Sequence, residues 1–217
     1  MNKILLLTTI LFWGSNLIFA QEDPDAKKIL DKLSEKTKSH KVIKSDFEVT
    51  LKSTKDNTQN TSKGTITMKG EMYRLIFMDS EAFFDGKTMW NYIPEVNEVN
   101  ISEPDLNDDD LLNNPKQLFT VYENDFKYQL IKTMLEGNVN YALVDLYPNN
   151  LDEEYSRIRL QINTNEYFLS SATIFGKDGS NYSIKISNYK TNLELQDSYF
   201  TFDEKEYKGV EVVDLRW

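Results

Sequence analysis

Cysteine is absent from the 217-residue chain, and histidine occurs once, at His40. The first absence removes disulfide scaffolds, cysteine-ligated zinc, thiol nucleophiles and iron–sulfur clusters together, and the second makes a multi-histidine metal centre impossible. Glycine is scarce, at 8 residues, and none of it forms a phosphate-cradling loop. No serine stands in a Gly-x-Ser-x-Gly setting, and one histidine would have to serve any triad. Positive charge is short as well: 25 Lys and Arg against 35 Asp and Glu leave a formal net charge of −10. Binding to a phosphate backbone needs a clustered basic face, so nucleic acid is excluded as a partner. The absences disfavour most enzymes, and no catalytic residue, metal or cofactor is expected.

Long apolar runs are equally rare. One lies at the N-terminus, where Lys3 precedes Ile4 to Phe12, a stretch broken only by Thr8 and Thr9. With Ser15 to Ala20 as the cleavage region, residues 1–20 read as a signal peptide and 21–217 as the exported domain, beginning at Gln21. The run is shorter than the roughly 20 apolar residues of a membrane span. An exported domain without cysteine suits a bacterial periplasm. Hydrophobic residues at 40% and aromatics at 12% supply enough apolar side chain for one real core.

What is present is first helical, then stranded. Asp23 can cap, Pro24 fits the first helical position, and Ala26, Ile29, Leu30, Leu33 and Thr37 recur at helical spacing. This predicts an amphipathic helix ending near Lys38 to Lys41. Alternation then takes over. Phe47, Val49 and Leu51 form one series, Ile66 and Met68 another, and Tyr73, Leu75 and Phe77 a third. Asp85-Gly86 marks a hairpin before Met89-Trp90, and Val96 to Ile101 continues the pattern. Further strands are expected near 126–132, 139–147, 156–163, 167–175 and 181–189, with turns at Glu136-Gly137-Asn138, Asn163-Thr164-Asn165 and Lys177-Asp178-Gly179-Ser180. Such a series is an antiparallel meander in one domain, whether sandwich, barrel or open curved sheet.

One segment interrupts the strands. Glu103 to Tyr122 starts acidic, can cap a short helix at Asp108 to Asp110, and carries Leu111, Leu112, Leu118 and Phe119. Asp105-x-Asn107-x-Asp109 copies the opening of a calcium loop. The copy fails where Asp110 replaces the turn glycine and Lys116 replaces the closing bidentate glutamate. His40, beside Lys41, reads as a surface histidine, and Asp152, Glu153 and Glu154 read as a solvated loop after Pro148-Asn149-Asn150.

The remaining feature is the kind of apolar residue between Phe47 and Trp90: six aromatics and four methionines suited to a broad, adaptable apolar wall. Periodicity does not distinguish a filled sheet core from a hollow one. Here a family resemblance enters. Gly64-Thr-Ile-Thr-Met-Lys-Gly70, Phe84-Asp-Gly-Lys-Thr-Met-Trp90, the Tyr92-Ile93-Pro94 bend and the ending Phe200-Thr201-Phe202 with Gly209 to Asp214 resemble the outer-membrane lipoprotein carrier proteins of the LolA type.

That resemblance implies a mainly β (α+β) fold: a strongly curved antiparallel sheet forming an incomplete β-barrel, closed by an N-terminal helix and a short central helical lid. It implies a periplasmic monomer that shields the acyl chains of lipoproteins. The partners implied are an inner-membrane ATP-driven release complex and an outer-membrane acceptor. By parity, the lipid-binding wall is expected to include Phe47, Val49, Ile66, Met68, Tyr73, Leu75, Phe77, Phe84, Met89, Trp90 and Tyr92, with Ile29, Leu33, Leu112 and Phe119 on the lid. The family's lid-latching arginine is replaced by Gly70, leaving Arg74 as the nearest candidate latch. Carriage of another amphiphile, a glycolipid or polyene pigment, and a structural envelope role are the alternatives.

Overall fold

The computed structural model describes residues 23–53, 55, 57–104 and 126–216. Residues 1–20, expected to be a signal peptide, and most of the central segment, with Leu112 and Phe119, lie outside the described residues.

The chain opens with helix α1, Pro24–Ser39. Asp23 caps it, its Oδ1 accepting from the N–H groups of Asp25 and Ala26 at 3.0 and 3.1 Å. These donors have no intrahelical partner, which is why a carboxylate is favoured here. The helix ends at His40, whose backbone is extended.

Among the described residues, twelve strands then form one curved, open sheet. They are β1 (Ile43–Ser53), β2 (Thr58–Lys69), β3 (Met72–Phe77), β4 (Ser80–Phe84), β5 (Met89–Ile93) and β6 (Glu98–Ser102). After the central segment come β7 (Phe126–Glu136), β8 (Val139–Pro148), β9 (Tyr155–Asn163), β10 (Phe168–Gly176), β11 (Ser180–Thr191) and β12 (Glu211–Asp214). Their order across the sheet is β12-β6-β5-β4-β3-β2-β1-β11-β10-β9-β8-β7. Thus β1 joins two meanders by pairing with both β2 and β11, and only β12 runs parallel to its neighbour, β6.

Because every other junction is antiparallel, the connections alternate between two rims of the sheet. The β1–β2, β3–β4, β5–β6, β8–β9 and β10–β11 connections share one rim, and the opposite rim carries β2–β3, β4–β5, β7–β8 and β9–β10. α1 lies against β7 and β10 on the concave face and buries Ala26, Leu30 and Leu33 there. They join a core drawn from both meanders, including Ile43, Ile66, Tyr73, Phe84, Val144, Leu160, Ile162 and Ile186. No helix of the described residues is long and apolar enough to cross a membrane.

One expectation is refined, and one turn that the sequence did not mark is located. β2 starts seven residues before Thr65, in the polar run Thr58–Lys63, which is mostly exposed. Tyr73 and Phe83 belong to separate strands joined by the two-residue turn Met78-Asp79, both at positive φ (51° and 58°) without a glycine.

A candidate apolar binding face

Residues directly opposite on paired strands share a face, so register assigns every side chain. Ile43, Ser45, Phe47, Val49 and Leu51 of β1 face inward. Across β11 they meet Ile186, Ile184 and Tyr182, and across β2 Met68, Ile66 and Gly64. The same inward rows continue through Tyr73, Leu75 and Phe77, then Ala82 and Phe84, then Met89.

Nine of the eleven expected wall residues therefore lie on the concave face. Ile66, Met68, Tyr73, Leu75 and Phe84 are buried in the permanent core. Phe47, Phe77 and Met89 are half-buried and pack against it, while Val49 is half-buried beside them. Phe47 and Phe77 touch, ring centroids 5.4 Å apart. Gly64 makes room for them, since a Cβ there would meet the Phe47 ring and, at 2.6 Å, the Ile76 carbonyl oxygen. Burial pushes the Tyr73 phenol up to about 12, and its hydroxyl lies 3.4 Å from Met89 Sδ.

Trp90 and Tyr92 are on the other face. Phe84 pairs with Met89 and Phe83 with Trp90, so side chains that follow Met89 alternately cannot all point inward. Tyr92 stacks instead among Phe202 and Tyr207, at 5.9 and 4.5 Å. The residues 192–207 cross this convex side, where Phe200 is fully buried and Lys69 Nζ donates to the Leu195 carbonyl at 2.8 Å.

Arg74 belongs to that convex side too. It donates to Glu81 Oε1 at 2.6 Å and lies 4.6 Å from the Phe83 ring and 4.7 Å from the Tyr199 ring. Tyr207 also donates to Glu81, at 3.2 Å. Arg74 thus fastens the C-terminal segment, not the helix, because it alternates with the inward-facing Tyr73 and Leu75. Gly70, at the family's arginine position, sits at φ +58° in the two-residue β2–β3 turn, a conformation that is costly for any residue bearing a Cβ.

The expected lid residues on α1 divide. Leu33 is 1% exposed and part of the core, while Ile29 is half-buried against it. The helix is tied down at both ends. Asp23 Oδ2 accepts the Leu130 N–H at 2.9 Å, and this bond is the main reason its carboxyl is held below the usual range. At the other end Lys32 donates to Tyr167 at 3.1 Å and the Lys41 N–H donates to Asn192 at 3.0 Å. His40 is half-buried with its ring edge against Tyr189, and burial, then Lys36, lowers its pKa.

The wall expected from sequence centres on β1–β5 and misses what the second meander adds. Ile174 and Ile184 are half-buried on the inward rows, beside Leu51 of β1, and Phe126, Tyr128 and Leu130 of β7 pack on the core. Alternation in 126–130, 168–176 and 180–191 is the signal that could have found them. Ser45 is 1% exposed on the same face, its hydroxyl without a partner among the described residues. Among the described residues no group of His, Asp or Glu could hold a metal ion. Asp152, Glu153 and Glu154 form a loop with Asn150, as expected of a solvated turn. The arrangement can hold apolar chains against a curved wall.

The family model described as outer membrane lipoprotein carrier protein LolA matches residues 38–203. No protein of curated function matches the chain. Among solved structures, an uncharacterized conserved protein from Thermus thermophilus is similar, with a TM-score of 0.55 and 12% identity, over 88% of this chain and 99% of that one. LprF from Mycobacterium bovis is similar with a TM-score of 0.50 and 16% identity, over 81% and 97%. A LolA superfamily protein from Nitrosomonas europaea gives a TM-score of 0.44 and 14% identity, over 82% and 98%. At such identities the likeness to the first two of these structures is one of fold. The family match spans most of the chain, from the end of α1 to the segment that roofs the convex face, and on that match the chain belongs to the LolA family of outer membrane lipoprotein carrier proteins.

Proposed function

We propose that this chain is a periplasmic carrier that takes the acyl chains of lipoproteins onto its concave face and conveys them from the inner to the outer membrane. The observation that carries this reading is the unevenness of that face. At the α1 end it is a closed core, whereas along the other half of β1, β10 and β11 its apolar rows are only half-buried, as at Val49, Leu51, Ile174 and Ile184. A protein that filled its own interior would bury those rows.

The physical need is large. Three acyl chains expose some 45 methylenes, and at about 0.8 kcal/mol each their exposure costs roughly 35 kcal/mol. A carrier has only to cover most of that surface, while an inner-membrane ATP-driven release complex supplies the uphill extraction and an outer-membrane acceptor completes delivery. The acidic surface keeps the loaded carrier soluble. Members of this family act as carriers, and no enzymatic step is assigned.

The test mixes the exported chain with membranes holding a labelled lipoprotein and the release complex. With ATP, label is expected to appear in solution bound to the carrier. Label that stays in the membrane, while the release complex hydrolyses ATP and releases to a known carrier, overturns the reading. Native mass spectrometry of carrier taken from its own periplasm then names the cargo, and a bound glycolipid or pigment in place of acylated peptide would redirect it.

A further inference from the structure

The rim shared by the β3–β4, β5–β6 and β8–β9 connections exposes a large apolar side chain at each of those three tips. Met78 is 68%, Val96 62% and Leu151 80% exposed. They are separate points on separate hairpins, not one contiguous patch. The Leu151 and Val96 turns are braced from outside. Lys177 Nζ donates to the Leu151 carbonyl at 2.6 Å, and the Lys177 N–H to the Glu154 carbonyl at 2.9 Å. Beside Val96, Asn97 accepts from Tyr92 at 3.1 Å and donates to the Gly209 carbonyl at 2.8 Å. Met78 occupies left-handed backbone, φ 51°, where asparagine or glycine is the less strained choice. Exposed apolar side chains on fixed turns are presented, not frayed.

We propose that this rim is a lipid-contacting edge, on which the carrier rests against a bilayer of zwitterionic phospholipid. The inference rests on the carrier reading and supplies its contact with the donor or acceptor membrane. A lipid interface accepts apolar points from separate hairpins of one rim, whereas a protein partner would need a matched pocket for each. The rim is also the end at which the concave rows are half-buried, so contact places the opening of the apolar face against the surface that holds the chains. Charge sets the lipid type. Exposed Lys52, Lys55, Lys177 and Lys208 near the tips are outnumbered by exposed Asp79, Glu95, Asp152, Glu154, Asp178 and Glu211, so anionic headgroups are repelled and neutral ones tolerated.

Flotation of the exported chain with phosphatidylcholine vesicles tests this. The wild type is expected to float, and Met78→Asn combined with Leu151→Ser to reduce partitioning roughly tenfold or more. Asparagine suits the Met78 backbone, so unfolding does not explain such a loss. Leu135→Ser, on an exposed residue of the opposite rim, is expected to leave partitioning unchanged, and added anionic lipid to weaken it. The proposal is overturned if the wild type stays in solution, binds only vesicles carrying membrane protein, or floats equally well in the double variant. Uptake of a fluorescent acylated peptide in solution keeps the two readings apart. Uptake without flotation sinks the rim alone, and no uptake sinks the carrier reading whatever the vesicles show.

Discussion

The two faces of the β3–β4–β5 ribbon are built from neighbouring residues yet finished differently. Outward, Phe83, Tyr92 and Arg74 are roofed by the chain's own C-terminal segment, with Phe202 and Tyr207 stacked at 4.3 Å and Phe200 fully buried. Inward, Tyr73, Leu75 and Phe84 are buried in the core, while Phe77, Ala82 and Met89 remain half-buried against it. Aromatic and apolar content is similar on both. The difference is whether the described residues supply a cover, and on the carrier reading it separates a face that contributes stability from one that retains surface for a guest.

The comparison is broken most severely on the finished side. Replacing Phe200 with Ala removes a wholly buried ring and is expected to cost about 3–5 kcal/mol, read from chemical denaturation, with affinity for an acylated peptide unchanged in the folded fraction. A matching loss of affinity would mean that the two faces are not independent.

Phe47→Ala should invert this pattern. Its half-buried ring contributes about 1–2 kcal/mol to stability, but it stands on the open inward row, so acyl-peptide affinity is expected to fall roughly tenfold. Equal affinity for wild type and variant by fluorescence titration would remove Phe47 from the binding face.

A smaller effect sharpens the contrast through pH. Burial raises Tyr73 on the inner face and Tyr207 on the outer face to about 12, Glu81 adding to the shift at Tyr207. Tyrosine in the unfolded chain ionises near 10. Stability is therefore fully present below about pH 10 and declines as pH rises toward 12, because the unfolded chain releases those protons first. Tyr73→Phe is expected to make the decline shallower in thermal unfolding measured from pH 9 to 12, and an unaltered slope would contradict it.

Several parts of the molecule were legible in the residues. Asp23-Pro24 and the recurrence of Ala26, Leu30 and Leu33 define α1 and its buried stripe. Asp85-Gly86 marks the β4–β5 turn, where Asp85 accepts from the N–H groups of Lys87 and Thr88. Other parts left no local trace. The outer half of β2 is polar on both sides because it projects beyond the core, so alternation had nothing to record. The Met78-Asp79 turn carries no glycine or proline. The inward placement of Trp90 and Tyr92 failed because the aromatic run invited a single wall, while strand geometry sends adjacent residues to opposite faces. Arg74 was visible as a lone arginine, but its partner Tyr199 lies on a distant segment.

By itself the amino-acid sequence determined the elements, their alternation and the exclusion of cysteine-based chemistry, because these depend on residue type and on spacings of a few positions. Only the tertiary structure decided which face of each strand is covered. That choice depends on β1 reaching β11, on α1 settling over β7 and β10, and on residues 192–207 folding back across the convex side. Contacts between segments more than a hundred residues apart are set by the burial each makes possible, and that quantity exists only once the sheet has curved.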